Sequence, residues 1–336
     1  MISIKDIAVA CGVSIATVSK ALNDHNDVSE NTKQIIRDTA KKMGYLPNSQ
    51  ARALKTNRTF NLGVLFVDEA GSGLTHNYFS LVLDAFKVEA ELMGYDITFI
   101  SNNIANLKMS YYEHCKYRNV DGVVIACVNF NDPDVQELIN SDIPVVTIDY
   151  QTNNKLSVMS DNKHGMTELV NYIYYKGHKK IAYIYGDSAL VTTIRLNAFN
   201  DTLLEHGIKA DHRYLIQSKY HDPFLTEVNT KKLLSLSDRP TCIIVPDDFS
   251  AIGAINAIDG FGLSVPDDIS IAGYDGIFIS QALKPKLATL KQDTKKIGKA
   301  AAIQLISAIR KEIPLCGQPV VIKGSLCVGE SVKTIN

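Results

Sequence analysis

Apolar residues recur at two different spacings along this chain of 336 residues. From about Leu62 onwards, short apolar runs alternate with longer segments in which apolar residues return every three or four positions. Short runs between turn residues are typical of buried strands, and the longer spacing is typical of amphipathic helices. This alternation predicts parallel sheets with helices on both faces, and the series is long enough for two such sheets.

The positions of these elements follow from the same pattern. The predicted strands are Leu62–Val67, Asp96–Ile100, Gly122–Ala126, Val145–Ile148, Ser157–Met159, Lys180–Tyr185, Thr241–Val245, Ile269–Ala272 and Leu287–Leu290. The predicted helices include Phe79–Met93, Met166–Lys176, Arg195–Glu205 and Phe249–Phe261. Because ligands in this architecture bind beyond the carboxyl ends of the strands, we expect a ligand site in the loops that follow these runs.

The first 45 residues show the helical spacing alone. Ser3 and Asp6 have the spacing of a capping box, which predicts that a first helix begins near Ile4. Gly12 suits the turn that follows, and Ser14 is placed to cap a second helix. Two helices joined by a tight turn that contains glycine predict a helix-turn-helix, whose second helix enters the major groove of DNA.

A third helix completes this predicted module. It is expected between Ser29 and Gly44, with Ile35, Ile36 and Ala40 facing inward. The three helices together would bury one small apolar core and leave the start of the second helix outside.

Positive charge is concentrated in the same part of the chain. Residues 1–58 contain nine Lys and Arg against five Asp and Glu, a net charge of +4, whereas residues 59–336 carry −5 and the whole chain −1. Local positive charge suits a surface that meets phosphate. On spacing and charge alone, an ordinary three-helix surface bundle is the alternative.

The segment that follows the third helix carries a second signal. Pro47 ends whatever precedes it, and Asn48 can cap a short helix over about Ser49–Lys55. A helix of about two turns is too short to be stable alone in water. Leu54 has no core to enter, and with Arg52 beside it an insertion into the minor groove fits as well as an ordinary linker does.

Polar residues follow most of the predicted strands of the larger part. Several carboxylates, one guanidinium and one amide that converge on a cleft would suit a polyhydroxylated ligand such as a sugar. Each of these Asp residues, taken alone, is explained as well by helix capping. The candidate polar residues are Asp149, Asp161, Arg195, Asp247, Asp275 and Gln292.

The N-terminal motifs resemble a known family. The run from Ile4 to Asn23, with Gly-Val-Ser at 12–14 and Thr-Val-Ser at 17–19, is similar to the signature of the lactose-repressor/galactose-repressor family. The resemblance covers essentially the whole chain, and residues 45–54 are similar to that family's hinge helix. It implies base reading by Ile15, Ala16 and Lys20, phosphate contacts by Ser14, Thr17, Ser19 and Asn23, and hinge contacts by Asn48, Arg52 and the minor-groove wedge Leu54.

The same resemblance assigns effector-binding positions in the larger part. It implies that an effector is held by Asp149, Arg195, Asp247, Asp275 and Gln292, and that an aromatic residue lies near Tyr220. Tyr78, and Asp161 by its position after a strand, are further candidates. Two departures matter. Many relatives carry Arg in place of Lys20, and most carry Asn in place of Asp247, so guanine reading and the hydrogen bonds to the effector are expected to differ here.

Fold and domain limits follow from the pattern and the resemblance together. We expect an N-terminal all-α helix-turn-helix module plus hinge helix, and an α/β body of two doubly wound parallel-sheet sub-lobes of the periplasmic-binding-protein-like type I. The expected ranges are 1–45 for the helix-turn-helix, 46–60 for the hinge and 61–336 for the effector-binding and dimerisation domain. One sub-lobe would comprise about 61–160 with 291–319, and the other 161–290 with 320–336.

Together these expectations describe a DNA-binding protein that is controlled by a small ligand. The chain would be a transcriptional regulator, a repressor, whose homodimer binds a pseudo-palindromic operator on double-stranded DNA under control of a small effector, a carbohydrate. The alternative is a transport-type sugar-binding receptor without a DNA role. The sequence leaves open whether the effector releases DNA or promotes binding, and it assigns no role to the glycine-rich segment Asp68–His76.

Catalysis and metal binding are not indicated by any motif. Gly71-Ser72-Gly73 matches a dinucleotide loop only in part, and there is no nucleophile elbow, HExxH or P-loop. The eight histidines show no metal-ligand spacing, and the six cysteines show neither CxxC nor zinc-like pairing with histidine. We therefore expect no enzyme, no cofactor, no metal and no membrane partner. Reduced, mostly buried thiols in a cytoplasmic protein are the expectation for the cysteines.

Overall fold

A computed structural model describes residues 2–46, 58–68, 71–104, 107–152 and 155–335. The chain divides into two compact units, Met1–Thr59 and Phe60–Asn336, and each is described by itself. Within the described ranges, no helix is both long enough and apolar enough to cross a membrane.

The smaller unit contains three helices: α1 (Ile4–Cys11), α2 (Ile15–Leu22) and α3 (Glu30–Lys42). At the start of α1, the Ser3 hydroxyl accepts from the backbone N–H of Asp6, and the Asp6 carboxylate accepts from the backbone N–H of Ser3. Gly12 ends this helix in the left-handed conformation, with φ 64°. The predicted capping box is therefore present, with its reciprocal hydrogen bonds.

A small apolar core holds the three helices together. Ile7 of α1, Val18 of α2 and Ile36 of α3 are each fully buried in it. The expectation for Ile35 was wrong, because its side chain is 51% exposed. Adjacent residues on a helix point about 100° apart, so Ile35 and Ile36 cannot both face one narrow core.

The larger unit is built on two six-stranded sheets. The first sheet contains β1 (Asn61–Phe66), β2 (Asp96–Ile100), β5 (Gly122–Ala126), β6 (Val145–Ile148), β7 (Leu156–Ser160) and β13 (Val320–Ile322). The second contains β8 (Ile181–Tyr185), β9 (Leu215–Gln217), β10 (Cys242–Ile244), β11 (Ser270–Asp275), β12 (Ala288–Lys291) and β14 (Ser325–Cys327). A separate two-stranded antiparallel sheet is formed by β3 (Asn103–Ile104) and β4 (Leu107–Lys108).

Helices cover these sheets. They are α4 (Asn77–Leu92), α5 (Tyr111–Arg118), α6 (Pro133–Asn140), α7 (Asn162–Tyr175), α8 (Leu190–Glu205), α9 (Pro223–Leu234), α10 (Ala251–Gly260), α11 (Phe278–Ala282) and α12 (Thr294–Ile309). Two short 3₁₀ turns lie at Gly73–Thr75 and His212–Tyr214.

Nearly all the strand pairs are parallel. The first sheet has the order β13-β7-β6-β5-β1-β2 and is parallel throughout. The second has the order β14-β12-β11-β10-β8-β9, in which the pair formed by β12 and β14 is antiparallel. Parallel strands present their carboxyl ends at one edge, so the loops that follow them gather there.

The chain passes between the two sheets more than once. After β12 of the second sheet it forms α12, which packs on the first sheet, and it then adds β13 to the first sheet and β14 to the second. The expected boundary at residue 319 was therefore wrong for Val320–Ile322, because its backbone pairs with β7. The runs were too short to show this exchange in the sequence.

Close helix packing fixes α12 against α4. Gly298 lies where a Cβ would come within 2.2 Å of the carbonyl oxygen of Val82, so the two helix backbones approach each other directly. The neighbouring Ile297, Ala301 and Phe86 belong to the same buried cluster. This packing attaches the segment after β12 to the first sheet.

The cysteines differ from expectation in their burial. Within the described residues the six cysteines form no disulfide, and only Cys115 and Cys242 are buried, whereas Cys316 is exposed. Cys127 directly follows β5 and is partly exposed. The thiols are thus not mostly buried, because Cys11, Cys127, Cys316 and Cys327 are partly or largely exposed.

Candidate functional site

The start of α2 forms an exposed polar face on the smaller unit. Ser14 caps this helix by accepting from the backbone N–H of Thr17 at 3.0 Å, and its hydroxyl also lies 2.9 Å from the Thr17 hydroxyl. Ile15 is 52% exposed, and Ala16 beside it is also exposed. An apolar side chain held outside a folded core at a helix start is available for contact with a partner.

The rest of that face is polar and locally bonded. The Asn23 amide donates to the backbone carbonyl of Ser19 at 2.6 Å. Lys20 forms an ion pair with Asp27, and both side chains are about half exposed. An exposed pair of this kind contributes little to stability, so Lys20 can exchange its partner at small cost.

The hinge candidates cannot be placed. Asn48, Arg52 and Leu54 lie outside the described residues. Their roles stay predictions from the sequence.

A cavity of about 630 Å³ lies where the carboxyl ends of the two sheets face each other. Its lining combines carboxylates, amides and aromatic rings, which is the composition expected of a site for a small polar ligand. Seven of the eight predicted effector residues line it: Tyr78, Asp149, Arg195, Tyr220, Asp247, Asp275 and Gln292.

A row of polar side chains crosses the cavity from one sub-lobe to the other. Asp149, which follows β6, accepts from the backbone N–H of Ser160 at 3.0 Å and from the Tyr78 hydroxyl at 3.1 Å. Gln292, which follows β12, donates its side-chain N–H to Asp275 at 2.7 Å. Tyr78 and Gln292 are both buried, so this part of the lining is largely shielded from water.

The Tyr78 hydroxyl lies between two acceptors. It is 3.1 Å from Asp149 Oδ2 and 3.4 Å from Gln292 Oε1, but it has a single hydrogen to donate. The shorter distance and the charge assign that hydrogen to Asp149. Gln292 Oε1 then keeps its capacity to accept a hydrogen bond from a ligand hydroxyl.

Arg195 is held in place by groups of its own sub-lobe. It lies in the second turn of α8, is 4% exposed, and donates from Nε to Asn162 Oδ1 at 2.7 Å. Its guanidinium carbon lies 3.7 Å from the centroid of the Tyr274 ring and 5.8 Å from that of Tyr220. Asn162 escaped the sequence analysis, because an Asn at the start of a helix gives no signal of such a partner.

The Tyr220 ring is positioned by a close contact. A Cβ at Gly186 would lie 2.2 Å from this ring, so the glycine after β8 leaves room for it. The Tyr220 hydroxyl lies 2.9 Å from the Thr192 hydroxyl at the start of α8. The ring thus packs at the edge of the second sheet beside Arg195.

Two of the predicted carboxylates mainly hold local backbone. Asp247 accepts from the backbone N–H groups of His221 and Ser250, both at 2.8 Å, and from the Ser250 hydroxyl at 2.9 Å. Asp161 caps α7 by accepting from the backbone N–H of His164 at 3.0 Å, and it does not line the cavity. The effector assignment of Asp161 is therefore corrected to helix capping.

Two carboxyl groups of the cavity, those of Asp275 and Asp149, have raised pKa values. The pKa of Asp275 is raised to about 7. Burial is the main cause, Arg195 opposes it, and the negative charges of Asp247 and Asp149 add to it. Burial also raises the pKa of Asp149. Near neutral pH, Asp275 is thus close to its titration point and can either donate or accept a hydrogen bond.

An aromatic pair that the sequence did not indicate lies on the first sub-lobe. Phe130 and Tyr150 stack with ring centroids 3.9 Å apart and planes 3° from parallel, and both line the cavity. They belong to loops after β5 and β6, so only the pairing of those strands brings them together.

A further cluster lies on the cavity wall. Asp68 after β1, His76 before α4 and Cys127 after β5 place one ligand atom each within 4.8 Å of one another. The His76 ring meets His221 of the second sub-lobe edge to face, with centroids 4.2 Å apart. The sequence pattern did not indicate this cluster, because Cys127 is separated from Asp68 and His76 by several helices and strands.

Comparison with known proteins shows the family to which this chain belongs. Residues 3–48 match the family model described as bacterial regulatory proteins, lacI family, and residues 170–332 match a periplasmic binding protein-like domain. The probable HTH-type transcriptional repressor ExuR of Bacillus subtilis (strain 168) is 32% identical over 313 residues, 92% of each chain. The chain belongs to the LacI family. The HTH-type transcriptional repressor PurR of Mannheimia succiniciproducens is 30% identical over an alignment of 342 positions, which covers 100% of both chains.

Solved structures of this family share the fold. The lac repressor dimer bound to operator and the anti-inducer ONPF matches with a TM-score of 0.82 at 23% identity, over 99% of each chain. A complex of the transcriptional regulator CelR with cellobiose matches with a TM-score of 0.73 at 20% identity, over 98% of this chain and all of that chain.

Membership in the LacI family decides between the functional classes. The matched relatives are HTH-type transcriptional repressors, and the family is one of regulatory proteins rather than enzymes. The chain is therefore a DNA-binding transcriptional regulator. A transport receptor without a DNA role does not account for the match of residues 3–48.

Proposed function

We propose that this LacI-family member is a repressor whose operator affinity is set by a neutral, polyhydroxylated effector, a sugar, bound in the cavity of the larger unit. The observation that carries the proposal is the row of polar side chains Asp149, Tyr78, Gln292 and Asp275. Asp149 accepts from Tyr78 and Asp275 accepts from Gln292, and between these two pairs the Tyr78 hydroxyl lies 3.4 Å from Gln292 Oε1. These side chains belong to both sub-lobes and lie where a ligand in the cavity would contact them. A ligand that forms hydrogen bonds with these side chains favours one arrangement of the sub-lobes over another.

The chemistry of the lining selects the class of effector. Sugar hydroxyls both donate and accept, so they suit carboxylates and Gln292 Oε1 on one side and the Arg195 guanidinium on the other. The stacked Phe130 and Tyr150 add an apolar wall. The matched CelR structure holds cellobiose, which is the kind of ligand proposed here.

Charge argues against phosphorylated sugars. Within the described residues, the cavity lining holds five Asp side chains and the single guanidinium of Arg195. A phosphate would bring two further negative charges among these carboxylates. A neutral sugar avoids that repulsion.

On the DNA side, the proposed contacts are those of the α2 face. Ile15, Ala16 and Lys20 would read bases, and Ser14, Thr17, Ser19 and Asn23 would contact phosphates. The hinge residues Asn48, Arg52 and Leu54 would add minor-groove contacts. A homodimer in the cytoplasm would place two such faces on a pseudo-palindromic operator, since matching half-sites require matching subunits.

The effector class is tested by thermal-shift screening of the full chain. The panel comprises monosaccharides, disaccharides and the corresponding sugar phosphates, with direct titration of each compound that raises the melting temperature. We expect neutral sugars to stabilise the protein and their phosphates to have no effect. Stabilisation by the phosphates alone would contradict the proposed class.

DNA recognition is tested by operator selection. A random-site library is enriched with the full chain, and the selected site is titrated with the full chain and with a chain that lacks residues 1–58. We expect a palindromic site, a steep loss of affinity with salt for the full chain, and no binding by the shortened one. Equal binding by both chains would contradict the assignment of DNA contacts to the smaller unit.

A further inference from the structure

We propose that Asp68, His76 and Cys127 form a binding site for Zn²⁺ on the wall of the effector cavity. The three side chains offer a carboxylate oxygen, an imidazole nitrogen and a thiolate sulfur, with the ligand atoms all within 4.8 Å of one another. This inference is independent of the effector, since it concerns the metal alone.

The fold brings these residues together at one edge of the first sheet. β1 and β5 are adjacent and parallel, and Phe66 at the end of β1 is paired with Ala126 at the end of β5. Asp68 and Cys127 therefore leave the same edge within two residues of the strand ends. His76 returns to that edge as the residue before α4.

The donor set suits zinc better than the hard cations. Ca²⁺ and Mg²⁺ take oxygen ligands, whereas Zn²⁺ accepts sulfur, nitrogen and oxygen together. Zinc bonds of about 2.0–2.3 Å in a tetrahedron require ligand atoms about 3.3–3.8 Å apart. The present separation exceeds that by no more than about 1.5 Å, a distance that side-chain rotation can close.

Local hydrogen bonds hold the Asp68 carboxylate in place and leave the His76 ring able to turn. The Asp68 carboxylate accepts from the backbone N–H groups of Ser72 at 2.7 Å and Gly73 at 3.0 Å. A ligand carboxylate that is itself hydrogen-bonded is the usual second layer of a metal site. His76 accepts from the backbone N–H of Phe79 at 3.5 Å, a distance so long that little is lost if the ring turns toward a metal.

A buried nitrogen beside the cluster gives a separate indication. His221 Nδ1 is buried and makes no hydrogen bond to the described residues, although its ring touches that of His76. A buried polar atom without a partner calls for an explanation such as an ion or water. Because Asp68, His76, Cys127 and His221 all line the cavity, a bound Zn²⁺ would keep its fourth position for water, His221 or a hydroxyl of the effector.

The test uses the full chain, freed of metal by a chelator and kept reduced. Co²⁺ serves as the optical probe, because a tetrahedral site that contains a thiolate gives visible d–d bands and a thiolate-to-cobalt charge-transfer band. We expect one equivalent to bind, both signals to appear, and added Zn²⁺ to remove them. Absence of these signals would overturn the proposal.

Variants assign the signals to the cluster. Cys127→Ser should remove the charge-transfer band and weaken Zn²⁺ binding by at least tenfold, and His76→Gln and Asp68→Asn should each weaken it by about tenfold or more. The matched controls are Cys316→Ser and His212→Gln, both at exposed residues outside the cavity, and they should bind as the parent does. Equal loss in a control, or an unchanged charge-transfer band in Cys127→Ser, would overturn the proposal.

A folding control keeps the result interpretable. Cys127→Ser replaces a partly exposed side chain by one of similar size, and its operator affinity without metal should equal that of the parent. If the proposed effector proves wrong while the cobalt signals appear, the metal site stands; if the signals fail while a sugar binds, only the metal site falls.

Discussion

The guanidinium of Arg195 lies against the ring of Tyr274, with 3.7 Å between the guanidinium carbon and the ring centroid. A cation over an aromatic face is attracted by the quadrupole of the ring, whose face is electron-rich, the more so when water is excluded. Arg195 is thereby held in the cavity wall with Asn162 as its second support. Its position is preformed, so it need not be ordered when a ligand arrives.

We predict that Arg195→Lys lowers effector affinity by about tenfold or more and leaves operator binding without effector unchanged. A lysine keeps the charge but loses the planar group that matches both the ring and the Asn162 amide. Calorimetric titration with the sugar found by screening measures the loss. Arg213→Lys, at an exposed ion pair with Asp211, is the control and should bind normally. Loss of operator binding as well would mean that Arg195 serves folding.

Tyr78→Phe should lower the free energy of unfolding by about 1–3 kcal/mol, because it leaves the Asp149 carboxylate without the hydroxyl that donates to it. Urea denaturation measures the change. Tyr117→Phe removes the same atom from a ring that is largely exposed and should change stability little. Equal effects of the two substitutions would contradict the role of the Tyr78–Asp149 hydrogen bond.

Asp275 should make the folded state less stable as pH rises. Its pKa is raised from 3.8 to about 7, so the folded protein binds a proton there that the unfolded chain has already released. The stabilisation is complete below about pH 4 and is lost as pH rises through about 7. Asp275→Asn removes this dependence. The difference in free energy of unfolding between the variant and the parent should therefore shift in favour of the variant from pH 5 to pH 8.

Asp142→Asn provides the control of opposite sign for that experiment. Lys116 donates to Asp142 and lowers the pKa of this exposed carboxyl. The stabilisation by Asp142 is therefore present above its ordinary pKa and lost as pH falls through the lowered value. Its Asn variant should show no gain between pH 5 and pH 8, and a gain equal to that of Asp275→Asn would refute the assignment.

Lys20 and Asp27 should act on DNA binding in opposite directions. Lys20→Ala should weaken operator binding by about tenfold through loss of a phosphate or guanine contact. Asp27→Asn removes the competing partner of Lys20 and a negative charge near the DNA, so nonspecific affinity should rise, most clearly at low salt. Titrations at several salt concentrations measure both effects. Lys296→Ala, at an exposed ion pair of the larger unit, should change neither.

The central strands were predictable because each is a continuous apolar run. Gly122–Ala126 and Val145–Ile148 were predicted with the limits that the structure shows, and both strands are fully buried. The edge strands Leu215–Gln217 and Val320–Ile322 were missed. Each has three residues, is partly exposed and carries no run long enough to distinguish it from a loop.

Helix starts depended on whether a side chain marks them. Ser3, Ser14 and Ser29 each cap their helix and were readable as caps. The helix predicted from Arg195 begins at Leu190 instead, after Ala189, which has no side chain that could cap it. Sequence patterns show a helix limit only where a side chain supplies the missing hydrogen bond.

The cavity could be predicted only in part. Asp149 and Asp275 follow strands, and the rule that ligands bind beyond strand ends placed both correctly in the cavity lining. The same rule failed for Asp161, where the carboxylate caps a helix. Phe130 with Tyr150, and His76 with His221, meet only through the pairing of distant segments, so no local spacing could have indicated them.

The last two strands give the larger unit an unusual vulnerability. β13 closes one edge of the first sheet and β14 closes one edge of the second, and both come from the short stretch Val320–Cys327. A single proteolytic cut just before Val320 would therefore threaten both sheets at once and leave two unpaired edges open to aggregation. Any contiguous piece of the chain that contains one sheet complete also contains at least one strand of the other, so neither sub-lobe can be cut out as a single uninterrupted segment.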